Sequence, residues 1–192
     1  DRSKILLCHG HSIVEHSLSK YPSSETEEAL ISFLKLPNDD QPIKIAQRKA
    51  IEVLGLLNCQ KAIPIIGKYL NSDDSYTVEN AAYSLQLLNC SDKKIHSIIS
   101  SLLDKPGQNK RVLIQSLARL GVDDQIKKIK YFIDKKTYKN NIYGAAIAAF
   151  TKLSGDSKYI NNLQNILLSS NQIDRQLAVQ DVIDSGSIEM LP

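Results

Sequence analysis

The segment Ser72-Asp73-Asp74-Ser75-Tyr76-Thr77-Val78-Glu79-Asn80-Ala81-Ala82 gathers three carboxylates, a phenol and a carboxamide within a few residues. Side-chain oxygens of this kind accept hydrogen bonds, and the Glu79-Asn80 pair beside Tyr76 is suited to taking the N–H groups of a ligand. A second reading needs no ligand. Asp74 or Ser75 can cap a helix that starts here, and acidic groups at that end complement the helix dipole. Capping accounts for Asp73 and Asp74. It does not account for Glu79-Asn80, because the matching positions in three similar segments are Arg48-Lys49, Arg111-Val112 and Gly144-Ala145.

Arg48, Arg111 and Arg175 recur at the starts of three such segments. Their guanidinium forks suit carboxylates, either of a ligand or of a neighbouring segment. Tyr69, Tyr131 and Tyr159 fall on intervening helices, where they either stack on a flat ligand or sit at the edge of the core. Lys127, Lys128, Lys130, Lys135 and Lys136 form a basic stretch that reads as a solvated face or a partner contact. Cys8-His9-Gly10-His11, with His16 close by, invites a metal reading. Its spacing is not that of a closed zinc site and the chain offers no second ligand pair, so no metal is expected. Gly-rich phosphate loops, GxSxG and HExxH are missing, and no His is followed by Glu.

The elements that carry these residues follow from an internal period. Segments around Leu54, Leu85, Leu117 and Phe150 share one layout, at steps of 31, 32 and 33 residues, and a looser copy surrounds Val182. Small or apolar residues recur at i, i+3, i+4 and i+7, as in Ala50, Val53, Leu54 and Leu57, which paints one stripe on a helix. Polar turns follow at 58–60, 89–92, 121–124 and 154–157, with Asn or Gly suited to a left-handed C-cap. A second helix then carries Ile63, Ile66 and Leu70, or Ile126, Ile129 and Ile133 in a later copy, and Pro64 suits a first turn. Two earlier helices, near 4–20 and 24–36, form a degenerate first pair before a loop at 37–42. One helix pair cannot bury its stripe alone, so consecutive copies must stack. The expected fold is all-α: a right-handed α-solenoid of about five to six HEAT-like helix pairs. It forms one domain over residues 1–192, with clear repeats over 43–192.

With 192 residues, 42% hydrophobic and 23% charged, the chain has a normal globular balance. A net charge of +3 and the absence of Trp argue against nucleic acid as a partner. No stretch reaches the ~20 apolar residues of a membrane span. Three dispersed cysteines suit a reducing, cytoplasmic setting. The chain begins at Asp1 without Met and reads as part of a longer protein.

The run Asp73-Asp74-Ser75-Tyr76-Thr77-Val78-Glu79-Asn80-Ala81, with 103–113, 145–156 and 175–184, resembles the HEAT-like phycobilin lyases of the E/F type. Within them it is most similar to phycoerythrin bilin lyases and lyase-isomerases of cyanobacteria. The resemblance implies attachment of a linear tetrapyrrole such as phycoerythrobilin to a cysteine of phycoerythrin. The partners are then the bilin, the phycoerythrin subunit and a second HEAT-like lyase subunit. The nucleophile is the partner's thiol and the bilin is substrate, so no cofactor is expected. On this reading Glu79, with Asp74 as second choice, meets the pyrrole nitrogens as the catalytic carboxylate. Tyr76 and Asn80 orient the substrate, and Arg48 and Arg111 hold its propionates. A non-catalytic, chaperone-like module for bilin or phycobiliprotein is the alternative.

Overall fold

A computed structural model of the chain describes residues 23–37, 40–135 and 139–187. The expected helix near 4–20, the Cys8/His9/His11/His16 cluster and Lys136 lie outside the described residues. Ten α-helices and no strands occur among those described. They are α1 (Ser24–Phe33), α2 (Gln41–Leu56), α3 (Ile63–Tyr69), α4 (Ser75–Leu87), α5 (Lys93–Leu102), α6 (Lys110–Arg119), α7 (Ile126–Asp134), α8 (Asn140–Ser154), α9 (Asn161–Leu167) and α10 (Gln172–Ser185). The α-solenoid class expected from the period is what they form: helical hairpins in series. Two compact units divide inside α5, between Ile95 and His96.

The repeat anchors are core residues in both units. Leu54, Leu85, Leu117, Phe150 and Val182 are all buried, with Ala50, Ala81, Leu113, Ala146 and Ala178 one turn before them. In the first unit α2 packs on α4, and α1 and α3 cover α2 and α4 respectively. In the second unit α6, α8 and α10 stack in sequence, with α7 and α9 against α8 and α9 also against α10. α2 and α4 approach closely where Gly55 faces Ser84, leaving no room for a Cβ.

Chain ends of the helices are set by short-range chemistry. Asn109 Oδ1 accepts Val112 N–H at 3.4 Å and Asn171 Oδ1 accepts Ile173 N–H at 2.8 Å, each capping a helix start. Asn58, Asn89, Gly121 and Gly155 adopt positive φ just after α2, α4, α6 and α8, as the turn composition implies. The next residues, Cys59, Cys90 and Val122, donate N–H to Leu54, Leu85 and Leu117, closing a Schellman-type turn. All three side chains are buried there, which explains both cysteines as small apolar groups of a helix cap. Burial pushes both thiols above their ordinary pKa, so neither is poised as a nucleophile.

Two boundaries differ from the sequence reading. Gln41 and Pro42 belong to α2 rather than to a loop, because Pro is favoured in a first helical turn and Asp40 sits at the N-cap. Arg48 is therefore two turns inside α2, not at its start. α1 ends at Phe33, three residues early, in a tight turn closed by Lys35 N–H on Ser32 and Leu36 N–H on Phe33.

Candidate functional site

The start of α4 is built around Asp74. One carboxylate oxygen accepts Tyr76 N–H at 3.3 Å and the other accepts the Thr77 hydroxyl at 2.5 Å. Ser72 Oγ takes the N–H of Asp74 itself at 3.2 Å. The Arg48 Nε lies 3.6 Å from Asp74 Oδ2, and its guanidinium carbon stands 5.6 Å from the centre of the Tyr76 ring. Burial alone would raise the Asp74 carboxyl. The Thr77 hydroxyl, Arg48 and the backbone N–H groups of Tyr76 and Thr77 outweigh it and hold the group below the ordinary carboxylate value. Asp74 is thus an ionised N-cap with its oxygens engaged.

Thr77 and Val78 turn into the core, and this fixes what α4 shows outside. Tyr76 is 66% exposed, and Glu79 and Asn80, at i+3 and i+4 from it, are half-buried on the same face. Arg48, Asp74 and Tyr76 are in mutual contact, so the structure brings them together with Glu79 and Asn80 on one patch of the first unit. The Arg48 guanidinium, mostly buried, backs a tyrosine ring whose bulk faces solvent.

Arg111, expected to meet a propionate, is engaged within the second unit. Its side chain is 9% exposed in the second unit, where it forms a bidentate pair with Asp181 at 2.6 and 3.0 Å. The same fork donates to the carbonyls of Asn141 and Leu177. The pair crosses α8 at Gly144, where any Cβ would collide with Asp181 Oδ2. Arg111 is an internal brace from α6 to α10, an ion pair that spans the intervening repeat instead of joining neighbouring ones. Burial pushes the Asp181 carboxyl up to about 6, against the pull of Arg111 and with that of Asp184. Arg175 is also structural: it donates to the carbonyls of Ser169 and Ser170 after α9.

The three tyrosines on intervening segments divide. Tyr69 donates its hydroxyl to the Leu34 carbonyl at 2.7 Å, and the Tyr159 ring meets Phe150 edge-on. Tyr131 remains 47% exposed, with Lys135 over its ring. A feature missed from sequence is an open cleft of about 430 Å³ in the first unit, lined by Leu34, Lys35, Ile65, Lys68, Tyr69, Asn71 and Ser72. It places two lysines beside the residue that supports Asp74. Lys35 and Lys68 are far apart in sequence and carry no motif that could have paired them. Among the described residues no group of His, Cys, Asp and Glu could hold a metal ion, and no helix is long and apolar enough to cross a membrane.

No protein-family model matches the chain. It is 39% identical over 171 residues to the bilin biosynthesis protein CpeY of Synechococcus sp. strain WH8020, covering 88% of this chain and 40% of that protein. It is 32% identical to the uncharacterized phycocyanin operon protein Y of Pseudanabaena tenuis strain PCC 7409, covering 94% of this chain and 42% of that protein. The chain thus spans about two-fifths of the length of these two relatives. It is also 29% identical to the phycocyanobilin lyase subunit alpha of a Picosynechococcus strain, over 85% of this chain and 64% of that protein. Among solved structures, the complex of CpcE and CpcF of phycocyanin lyase from Nostoc sp. PCC7120 matches with a TM-score of 0.70 at 26% identity, over 83% of this chain and 64% of that one. An engineered protein matches with a TM-score of 0.53 at 14% identity and supports the fold alone. With the hairpin repeat and the Tyr76–Asn80 run already in place, these likenesses show that the chain is similar in sequence and fold to the HEAT-like phycobilin lyases.

Proposed function

We propose that the protein to which this chain contributes is a bilin lyase, which holds a linear tetrapyrrole such as phycoerythrobilin and promotes its attachment to a cysteine of phycoerythrin. The reaction is an addition. The acceptor sulfur bonds the ethylidene carbon on the first pyrrole ring, the thiol proton passes to the tetrapyrrole, and nothing leaves. The partner supplies the nucleophile, in keeping with the buried, cap-forming thiols of Cys59 and Cys90.

The observation that carries this reading is the patch on α4, where Tyr76 stands exposed against Arg48 beside Glu79 and Asn80. A ring backed by a guanidinium gives a flat π-system a place to stack, and the adjacent carboxylate and amide can take pyrrole N–H groups. Glu79 is the catalytic carboxylate in this scheme, since Asp74 is committed to capping. Propionates fall to Arg48 and to Lys35 and Lys68 of the neighbouring cleft, in place of Arg111. Fixing bilin and thiol together supplies rate through orientation. The complex of CpcE and CpcF supports a second HEAT-like subunit as a partner.

The test is co-expression of the complete protein with a phycoerythrin subunit and phycoerythrobilin. A coloured adduct that survives denaturant is expected, and Glu79→Gln should lower its yield at least tenfold with the helical signal intact. Unchanged yield in Glu79→Gln removes Glu79 from the site. Bilin binding without any adduct favours the chaperone-like module instead.

A further inference from the structure

α4 exposes more than the patch at its start. Thr77, Val78, Ala81, Ala82, Ser84, Leu85 and Gln86 are all buried. What remains wholly or partly outside after the first residue, Ser75, is Tyr76, Glu79, Asn80 and Tyr83, at i, i+3, i+4 and i+7, followed by Leu87. Tyr83 is 38% exposed and was not singled out by the sequence motif, which ends before it. A solvent-facing helix stripe is ordinarily rich in long charged side chains. This one has two aromatic rings, a single charge and an amide.

The repeat supplies its own control. At the register of Tyr83, two residues before each anchor, the other first helices carry Glu52, Gln115, Ala148 and Gln180. At the register of Tyr76 stand Ile45, Gln108 (just before α6), Asn141 and Ile173. The hairpin fold therefore does not require tyrosine at either place, and only α4 has it at both. Seven residues of helix separate the two by about 10 Å along the axis, with Glu79 and Asn80 between. A ligand reaching both rings must be flat, extended over several rings and rich in N–H donors at its middle.

Resting on the bilin reading above, we infer that Tyr83 is a second stacking residue of the same site, so that the tetrapyrrole lies along α4 from Tyr76 to Tyr83 with its pyrrole nitrogens over Glu79 and Asn80. Stacking of this kind needs the ring rather than the hydroxyl.

The experiment is titration of the complete protein, parent or variant, with phycoerythrobilin, followed by the circular dichroism that binding induces in the visible band. Tyr83→Leu should weaken binding about three- to tenfold and reduce the induced signal, with the far-ultraviolet spectrum unchanged. Tyr83→Phe should bind as the parent chain does. Tyr131→Leu, which removes an exposed ring elsewhere, should have no effect. If Tyr83→Leu matches the parent chain while Tyr76→Leu weakens binding, the inference fails and the bilin reading stands. If the complete parent protein gives no induced signal in the visible band at all, the bilin reading fails and the inference with it.

Discussion

Gly144→Ala offers the sharpest check on how the second unit is held together. In an ordinary helix interior, replacing Gly by Ala stabilises by about 1 kcal/mol. Gly144 lies inside α8 and is buried, yet the Arg111–Asp181 pair passes directly over it. A methyl group there would overlap Asp181 Oδ2 and approach Leu163 Cδ2 to 3.5 Å. The colliding atom is one end of a bidentate pair whose guanidinium also serves two backbone carbonyls, so it has little freedom to turn away. Breaking such a buried pair costs about 3–5 kcal/mol. Set against the propensity gain, Gly144→Ala should destabilise the protein by ~2–4 kcal/mol, measured at neutral pH by urea unfolding with far-ultraviolet circular dichroism. In a background carrying Arg111→Met and Asp181→Ala the obstacle is gone, and the same change should recover the ordinary gain of ~1 kcal/mol. The coupling between the two backgrounds is then the energy of the crossing itself. A neutral or stabilising Gly144→Ala in the parent chain would refute the argument, because it would mean that the pair does not constrain α8.

Two further expectations concern the buried and capping carboxylates. Asp181 rises from 3.8 in the unfolded reference to about 6 when folded, so between those values the folded chain keeps a proton that the unfolded chain has released. Its contribution is complete below about pH 4 and is lost as pH rises through about 6, which amounts to ~3 kcal/mol; subtracting the pH–stability curve of Asp181→Asn should expose that slope, and identical curves would exclude it. Asp74→Ala should destabilise by ~1–2 kcal/mol through the lost cap and the loosened Arg48, whereas Asp74→Asn, which can still cap, should keep both stability and bilin attachment. Attachment lost in a stable Asp74→Asn protein would return Asp74 to the catalytic role.

The period made the helix pairs legible. Leu54, Leu85, Leu117 and Phe150 recur at one register, and their burial follows from the stripe that they belong to. The left-handed Asn58, Asn89 and Gly121 were readable for the same reason, since each ends a stripe. Helix starts were harder. Asp40 and Pro42 compete as loop and cap signals; in the structure they cap and open α2, and Gln47, buried with its amide on the carbonyls of Phe33 and Leu36, adds a packing contact before Arg48. At the site, the chemistry of Tyr76, Glu79 and Asn80 was visible in the sequence because those residues break the repeat. Tyr83 also breaks it, but tyrosine is common at core edges, and exposure alone distinguishes the two cases.

The same register position shows why a departure from the repeat is a signal without a sign. Six residues before each anchor stand Arg48, Glu79, Arg111, Gly144 and Gln176. All are hydrophilic or small, and the hairpin tolerates each. Arg48 packs under an exposed ring, Arg111 is buried as a brace, Gly144 is small so that the brace can pass, and Gln176 is exposed. Arg48 and Arg111 look alike in sequence, which implies the same role for both. They differ because Arg111 has a carboxylate two copies later, Asp181, and a glycine between them, whereas the partner of Arg48 is Asp74 in the very next copy, already anchored by Thr77 and backbone N–H groups. A cation whose carboxylate is otherwise satisfied keeps capacity for a ligand; one that must neutralise a buried acid does not. By that criterion Arg111 is structural, and Arg48 is the arginine that the proposed function gives to the bilin; loss of bilin binding in Arg48→Met alongside unimpaired folding is the result that the distinction requires.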